Sequence, residues 1–311
     1  DPGPGTDCSG GVSPPRLHAD EVDLDDRIMR HLVDTRFPHW ADRPLRRLDT
    51  TGTDNAIFRL GDDLGIRAPR LERAVQQIHR ECRWIAPLAP HLPAAVHEPV
   101  AIGDPDPTYP FPFLVFRWID GTDLGAAPSP DPVGLALELA EFVIALGAID
   151  PAGGPRGGRR TQAIGATDRA TRAAIAALAD EPGPPVDIDR ALAVWDGALA
   201  AGEWNRPPVW VHGDLLPGNI LVADGHLVGV VDWSSGGLGD PAADTMLAWA
   251  LPSAARAAYR DALGVDDATW RRGRGWVIEQ AASFIAYYRD TIPDGVALAR
   301  ARLDAVLAAD D

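Results

Sequence analysis

The spacing of apolar residues alternates between helical and extended periods in the first part of the chain. Residues 19–37 and 71–88 carry apolar side chains at helical spacing, and the second stripe ends at Pro87 and Pro90. Extended apolar runs lie at 46–50, 56–60, 64–68, 100–103 and 113–119, and T-G-T-D-N and G-D-D, both typical of turns, separate the first three. The order helix, three strands, helix, two strands predicts a small antiparallel sheet with a packed helix.

After Asp120-Gly121 the pattern becomes helical, apart from one extended hairpin near residue 220. Asp131-Pro132 and Asp240-Pro241 combine an N-cap residue with proline at the first helical position. Helices are predicted at 132–149, 164–179, 188–201, 240–249, 253–263, 267–289 and 294–307. The expected fold class is therefore α+β, with a flexible tail at 1–18, a sheet-and-helix lobe at 19–117 and a mainly helical lobe at 118–311.

Composition limits the functional classes. The 311 residues are 46% hydrophobic and 24% charged, which is ordinary for a globular protein. All 29 basic residues are arginine, and 45 acidic residues give a net charge of −16. This charge disfavours nucleic acid and suits a cationic substrate, although solubility alone would also explain it.

Cysteine content and hydropathy give a default location. Cys8 and Cys82 are too few for a disulfide framework or a zinc cluster, and neither a membrane span nor a secretory signal is evident. A cytoplasmic protein is expected. The chain opens D-P-G-P-G-T-D without Met, which leaves open whether its natural start is missing.

The segment 209–232 carries the most specific chemistry. Its polar loop, H-G-D-L-L-P-G-N, lies between apolar runs, and a second pair of apolar runs ends at Asp232. Asp214 can orient or deprotonate a hydroxyl, while Asn219 and Asp232 offer the hard oxygen ligands that Mg²⁺ prefers. Each residue alone would be a turn or cap residue. Together they match the H-x-D-x-x-x-x-N pattern of kinase catalytic loops, followed by an acid after the next hairpin.

These motifs resemble those of the aminoglycoside phosphotransferase family, which includes macrolide phosphotransferases and related small-molecule kinases. The similarity extends to T-G-T-D-N-A-I-F-R-L-G, Y-P-F-P-F-L-V-F-R-W-I-D-G and G-D-P-A-A-D, and so covers nearly the whole chain from about residue 20. It implies a two-lobed, protein-kinase-like fold. It also implies transfer of the γ-phosphate of ATP or GTP to a small-molecule hydroxyl, with an aminoglycoside or other antibiotic as the favoured acceptor.

The resemblance assigns roles to individual residues. Asp214 becomes the catalytic base, Asn219 and Asp232 become the Mg²⁺ ligands, and His212 and Asp240 support the loop. Nucleotide binding would involve Thr51 and Gly52 in the first turn, although a plain hairpin turn also explains them. The hinge residues Phe116 and Trp118, whose aromatic rings fit a core equally well, would contact the nucleotide base.

One departure from the family concerns the phosphate-binding lysine, because the chain contains none. Arg67 in L-G-I-R-A-P-R stands at the matching position with Glu81 as its expected partner, while Arg70 and Glu72 are competing candidates. Arginine holds phosphate through a planar fork and not as a point charge. A nucleotide-binding pseudokinase is therefore an alternative to an active enzyme.

The sequence gives a less specific prediction for the acceptor site. Two kinds of lining are compatible with the sequence: carboxylates from Asp240, Glu279, Asp290 and Asp294, or aromatic rings from Trp233, Trp249 and Trp276. The basic segment P-A-G-G-P-R-G-G-R-R at 151–160 is interpreted as a solvated linker, with a cover over a phosphate as the alternative. A metabolite such as an amino alcohol or sugar remains a possible acceptor.

Overall fold

The computed structural model describes residues 20–48 and 54–309, which divide into two compact units. The first contains the described residues up to His79 together with Pro99–Trp118, and the second contains Arg80–Glu98 and the described residues from Ile119 onward. The sequence had placed 80–98 in the first lobe. The tail predicted at 1–18, and Thr51 and Gly52, lie outside the described residues.

The first unit is an antiparallel sheet with one helix packed on it. Its strands are β1 Leu45–Leu48, β2 Asn55–Leu60, β3 Leu64–Pro69, β5 Pro99–Gly103 and β6 Phe113–Arg117, in the order β1-β2-β3-β6-β5. Helix α1, Asp26–Arg36, starts where the Asp25 side chain accepts from Ile28 N at 2.8 Å. Its buried Met29, Leu32 and Val33 join strand residues such as Phe58 and Ile66 in the core. The predicted element order is confirmed.

Helix α2, Glu72–Leu88, begins in the first unit and belongs to the second from Arg80 onward. The short strand β4, Ala95–Val96, follows it and pairs in parallel with strand β10, His226–Val230, of the second unit. Two residues are too few to give a periodic signal, and the sequence did not predict β4. The pairing explains why 80–98 groups with the second unit.

The second unit is mainly helical, as predicted. Its helices after α2 are α3 Pro132–Ala148, α4 Asp168–Ala177, α5 Ile188–Ala200, α6 Ser253–Leu263, α7 Asp267–Tyr288 and α8 Pro293–Ala308. The segment Pro241–Ala250, expected as an α-helix, is a 3-10 helix, with its N-cap at Asp240. Helix α7 is buried along most of its length and packs against α4, α5 and α8.

Two small sheets complete the second unit. One has the order β4-β10-β9-β7, with β7 Thr122–Asp123, β9 Ile220–Ala223 and β10 His226–Val230. The other pairs β8 Val209–Val211 with β11 Gly237–Gly239. These strands hold both ends of the segment that carries the predicted chemistry. Within 20–48 and 54–309, none of the helices has the length and apolar character needed to cross a membrane.

Candidate active site

The β9-β10 hairpin places Asn219 and Asp232 next to each other. Its turn, Asp224-Gly225, has φ of 52° and 86°, the left-handed values that a two-residue turn of this kind requires. At the open end of the hairpin, Val231 N donates to Asn219 O at 2.9 Å. The two side chains predicted to bind Mg²⁺ therefore leave the hairpin at the same end.

Asp232 adopts an unusual backbone conformation. Its φ of 59° and ψ of 70° are left-handed, a region that Asp and Asn tolerate better than most residues. The Asp232 carboxylate accepts from Ser234 N at 3.4 Å and so caps the 3-10 turn Trp233–Ser235. The sharp change of direction after β10 turns the chain back towards β11.

Asn219 connects the hairpin to the catalytic loop. Its Nδ2 donates to the main-chain oxygen of Asp214 at 2.9 Å. Because only an amide nitrogen can donate to a carbonyl, this bond fixes the amide orientation and turns Oδ1 away from Asp214 O. An amide oxygen and a carboxylate are suitable donors for Mg²⁺. No cluster of three His, Cys, Asp or Glu side chains in the described ranges is placed to hold a metal.

Asp244 holds the start of the catalytic loop from beneath. One of its oxygens accepts from His212 N and the other from Gly213 N, both at 2.8 Å. Asp244 is fully buried, and burial raises the pKa of its carboxyl, although nearby His212 and the two N–H donors oppose the rise. Asp244 is the second acid of G-D-P-A-A-D, and only the first, Asp240, was predicted from the sequence to support the loop.

His212 braces the loop, the role that the resemblance implied. Its ring is buried, with Nε2 2.9 Å from Val231 O and Nδ1 3.4 Å from Asp214 N. Since a carbonyl can only accept, Nε2 carries the proton and Nδ1 is the acceptor. The ring thus ties the loop to the residue preceding Asp232.

Gly213 is required by its surroundings. Its φ is +76°, and a Cβ at this position would lie 2.8 Å from Ser235 O and 2.9 Å from Thr161 Cγ2. No larger residue fits without displacing backbone.

Arg160 contacts the carboxylate of Asp214, and sequence reasoning missed it. Its Nη1 donates to Asp214 Oδ1 at 2.6 Å and its Nε donates to Glu279 Oε2 at 3.0 Å. Arg159 Nη2 lies 2.6 Å from the other Glu279 oxygen. Burial lowers the pKa of Arg160, but the two carboxylates outweigh this effect and raise it. Glu279 itself is almost fully buried.

The segment that delivers Arg160 is fixed by backbone hydrogen bonds, so its interpretation as a solvated linker was wrong. Gly157 N donates to Leu238 O at 3.0 Å and Gly158 N to Ser235 O at 2.7 Å. A Cβ on Gly158 would approach Ser235 to about 3.1 Å. The glycines, which suggested flexibility, instead permit close packing of backbone on backbone.

The other predicted site residues of the second unit occupy different environments. Asp240 forms a buried ion pair with Arg272, at 2.6 Å to Nε, and caps the following 3-10 helix through Ala242 N. Trp276 is completely buried on α7, while Asp290 is exposed in the turn after it. Asp240 thus supports the region structurally. Acceptor binding by Glu279, Asp290 and Trp276 stays a prediction.

In the first unit, the buried Arg67 lies on the central strand β3, opposite Ile57 and Leu114. With the Asn55 amide oriented so that its oxygen faces the Arg67 guanidinium, Asn55 Oδ1 accepts from Arg67 Nη2 at 3.0 Å. The competing Arg70 pairs with the buried Glu21.

The remaining nucleotide-site candidates are also held by neighbours. Phe116 lies in β6, and its ring stacks with that of Trp118. The main-chain N–H of Trp118 donates to Asp63 O at 3.0 Å. In the second unit, Glu81 contacts His97 Nε2 at 3.0 Å. Nucleotide contacts of Arg67, Glu81, Phe116 and Trp118 stay predictions.

Solved structures of antibiotic-modifying enzymes share this fold. The GDP complex of aminoglycoside 2'-phosphotransferase-IIIa is 20% identical, with a TM-score of 0.71 over 92% of this chain and 99% of that chain. Its GDP and kanamycin complex gives a TM-score of 0.67 at 20% identity, over 89% and 97% of the two chains. Macrolide 2'-phosphotransferase from Brachybacterium faecium is 23% identical, with a TM-score of 0.59 over 90% and 98%.

The sequence also matches a family description directly. No curated protein gives a significant match to the chain. Residues 14–276, however, match the model of the phosphotransferase enzyme family, abbreviated APH, and so include both the Asp214 loop and the hairpin. The chain belongs to the APH phosphotransferase enzyme family.

Proposed function

We propose that this protein is a Mg²⁺-dependent kinase that transfers the γ-phosphate of ATP or GTP to a hydroxyl group of a small molecule. The observation that carries the proposal is the arrangement around Asp214. Its backbone is held by Asn219 and by the His212 ring, and its carboxylate is held by Arg160. A fixed carboxylate beside two oxygen donors suits phosphoryl transfer, in which positioning and charge compensation supply most of the catalysis.

Asp214 is the proposed catalytic base. Its Oδ1 is bonded to Arg160, so we assign Oδ2 to the acceptor hydroxyl, whose proton it would accept as the oxygen attacks phosphorus. Arg160 then limits rotation of the carboxylate. The backbone contacts from Asn219 and His212 keep the same side chain in register with the acceptor.

Asn219 and Asp232 are the proposed magnesium ligands. A bound Mg²⁺ would neutralise charge on the nucleotide phosphates and align them. The left-handed turn at Asp232 and the fixed amide of Asn219 orient these oxygens before any ligand arrives. Arg67 is proposed to contact the phosphates in place of lysine, with Glu81 as its partner.

For the acceptor we propose a hydroxylated antibiotic, of the aminoglycoside or macrolide class, with a metabolite as the alternative. Support comes from neighbours whose structures are described as an aminoglycoside phosphotransferase with kanamycin and a macrolide phosphotransferase. Their identity of 20–23% indicates a shared fold and leaves the acceptor to experiment. A cytoplasmic location is part of the same proposal.

The test combines a substrate screen with Asp214→Asn. Hydroxylated antibiotics and metabolites are incubated with Mg²⁺-ATP or Mg²⁺-GTP, and a mass increase of one phosphoryl group is measured. With a working acceptor, we expect Asp214→Asn to reduce kcat by about 10²–10⁴-fold, the usual contribution of a general base. Its melting temperature should change little, because Arg160 keeps Glu279.

Two results would contradict this proposal. Undiminished turnover in Asp214→Asn would remove the assigned base. Nucleotide binding without phosphoryl transfer to any compound of a broad panel would favour the pseudokinase suggested by the missing lysine.

A further inference from the structure

Arg160 contacts the carboxylate of Asp214 on the side of helices α7 and α8, and two further arginines belong to the same group of charges. Arg160 bonds Asp214 and Glu279, and Arg159 bonds the other oxygen of Glu279. Arg302 on α8 interacts electrostatically with both Asp214 and Arg160. Three arginines against two carboxylates give this group a net charge of +1, whereas the whole chain carries −16.

Arg302 has an unusual environment for a buried cation. Its side chain is 7% exposed, and its Nη2 donates to Gln280 Oε1 at 2.8 Å. Its Nε has no hydrogen-bond partner, and no carboxylate in the described part of the chain lies within ion-pair distance of it. Burying such a charge without a counterion is costly, so a purely structural role would be better served by an apolar residue.

Helix α8 brings the face that carries Leu298 and Arg302 close to Pro217 of the Asp214 loop. A Cβ atom built on Gly125 would lie 3.7 Å from Pro217 Cβ and 3.9 Å from Leu298 Cδ1. Pro217 and Leu298 therefore border the same space. Leu298 is half exposed and lies one helical turn before Arg302, on the same face of α8. Gln280, which bonds Arg302, directly follows Glu279 on α7.

The charges near Arg302 agree with this placement. Burial lowers the pKa of Arg302 to about 10, the negative charge of Asp214 opposes the decrease, and Arg160 adds to it. Arg160 is already compensated by two carboxylates. Arg302 is therefore the cation of this group to which no carboxylate of the described residues is bonded.

We propose that Arg302, backed by Arg160, binds an anionic group of the acceptor, a carboxylate or a phosphate, next to the hydroxyl that Asp214 activates. This proposal rests on the proposed function and, within it, favours the alternative acceptor, a metabolite that carries a carboxylate or phosphate, because aminoglycosides and macrolides carry neither group. Glu279, expected from the sequence to attract a cationic acceptor, is instead saturated by Arg159 and Arg160. A polycationic acceptor would have to place an ammonium group against arginines, whereas an anion would neutralise the net positive charge.

The experiment uses the full chain with Mg²⁺ and a saturating non-hydrolysable ATP or GTP analogue, so that the donor phosphate positions are filled. Inorganic sulfate is titrated calorimetrically at constant ionic strength. We expect saturable binding to the native chain and a loss of at least about tenfold in Arg302→Gln. Arg300→Gln is the matched control, because Arg300 lies on the same helix but pairs with Asp304; its sulfate affinity should be unchanged.

Four compounds with a glycerol backbone then identify the group that is recognised. Glycerate and glycerol 3-phosphate should displace sulfate, and the better competitor names the natural anion. Glycerol and 3-amino-1,2-propanediol, which are neutral and cationic, should not. Displacement by the amine but by neither anion would overturn the proposal.

Other outcomes would also overturn it. These are equal sulfate affinity in the native chain and Arg302→Gln, absence of sulfate binding, or binding that disappears once the nucleotide analogue is present. Arg302→Met, which removes the uncompensated charge but keeps the length, should melt no lower than the native chain. If both variants unfold, Arg302 is structural and the proposal fails.

Failure of this inference differs from failure of the proposed function. A chain that phosphorylates only polycationic acceptors, with equal kcat in Arg302→Gln, keeps the kinase and loses the anion subsite. A chain that binds sulfate through Arg302 but transfers no phosphate keeps the subsite and loses the kinase.

Discussion

Asp214 has two sides that differ in origin and in charge. On the hairpin side, Asn219 and Asp232 come from one short stretch of chain and present oxygen atoms. On the helical side, Arg160 and Glu279 lie 54 and 65 residues from Asp214 in sequence, and arginines outnumber carboxylates. The first side is built by a local motif, whereas the second depends on how α7, α8 and the segment before α4 pack.

This difference shows why overall charge is a poor guide to a site. A net charge of −16 suggested a cationic substrate, yet Arg160 pairs with Asp214 on the helical side, and Arg159 and Arg302 belong to the same group of charges. Electrostatic interactions fall off within about 10 Å in salt solution, so distant surface acids contribute little there. Local pairing determines what the site attracts.

Of the two sides, the hairpin side is expected to give the larger effect, from Asp232→Asn. Removing a metal-binding carboxylate should reduce kcat/KM by about 10²–10³-fold, or ~3–4 kcal/mol, and raise the Mg²⁺ concentration needed for half-maximal activity. Folding should be unaffected, because Asn tolerates the left-handed backbone at φ 59°.

Asp224→Asn is the control for this variant. Asp224 also has a positive φ, 52°, and lies at the far end of the same hairpin. Its activity and melting temperature should match those of the native chain. Equal activity losses in the two variants would mean that Asp232 acts only through hairpin geometry.

The sequence was sufficient for the fold class, the order of elements and the hairpin side. Regular periodicity identified the main strands and helices, and the H-x-D-x-x-x-x-N spacing placed Asp214 and Asn219 in one loop, where they are in contact. Their catalytic and metal-binding roles stay predictions. The short strands β4, β7 and β11, each of two or three residues, carry too few positions to show a period. Their partners are set by tertiary packing.

The helical side could not be predicted for a different reason. Arg160 stands in a glycine-rich segment whose composition indicates a flexible linker, and only the close backbone contacts of Gly157 and Gly158 fix it. Asp240 and Asp244 both belong to the motif G-D-P-A-A-D. Nothing in the local sequence shows that Asp244 accepts from His212 N whereas Asp240 caps a helix. Side chains that converge through packing leave no spacing pattern.

The next largest effect is expected on the helical side, from Arg160→Gln. This change removes one cation from a mostly buried network and leaves Glu279 with Arg159 alone. The free energy of unfolding should fall by about 3 kcal/mol, since breaking a buried ion pair leaves a carboxylate poorly compensated. Chemical denaturation measures this quantity.

Arg159→Gln is the matched control, because it removes the same charge from the neighbouring position. The Arg159 side chain is 54% exposed, so its pair with Glu279 should contribute less than about 1 kcal/mol. If Arg159→Gln destabilised the chain as much as Arg160→Gln, the distinction between a buried bridge and a surface pair would be wrong.

Where the two sides meet, Gly213→Ala should destabilise the chain by about 2 kcal/mol. A methyl group would meet Ser235 O at 2.8 Å, and φ of +76° is unfavourable for alanine. Gly218→Ala in the same loop should change stability by less than about 0.5 kcal/mol, because nothing lies within 4 Å of its added Cβ. A small effect at both positions would show that the loop can move away from Ser235.

The smallest effect is expected from Asp244→Asn, beneath the loop. It is a change in how the free energy of unfolding depends on pH. Burial raises the folded-state pKa of Asp244 above 3.8, so the folded chain holds this proton more tightly than the unfolded chain. Stability from this group is complete below pH 3.8 and is lost as pH rises through the folded-state pKa. Asn cannot titrate, so the stability of Asp244→Asn relative to the native chain should increase with pH across this window.

Asp266, whose pKa is lowered by its hydrogen bonds to Thr269, should give the opposite slope in Asp266→Asn. Parallel pH curves for the native chain and Asp244→Asn would show that hydrogen bonds from His212 and Gly213 cancel the burial effect, and the loop would then rest on a fully ionised carboxylate.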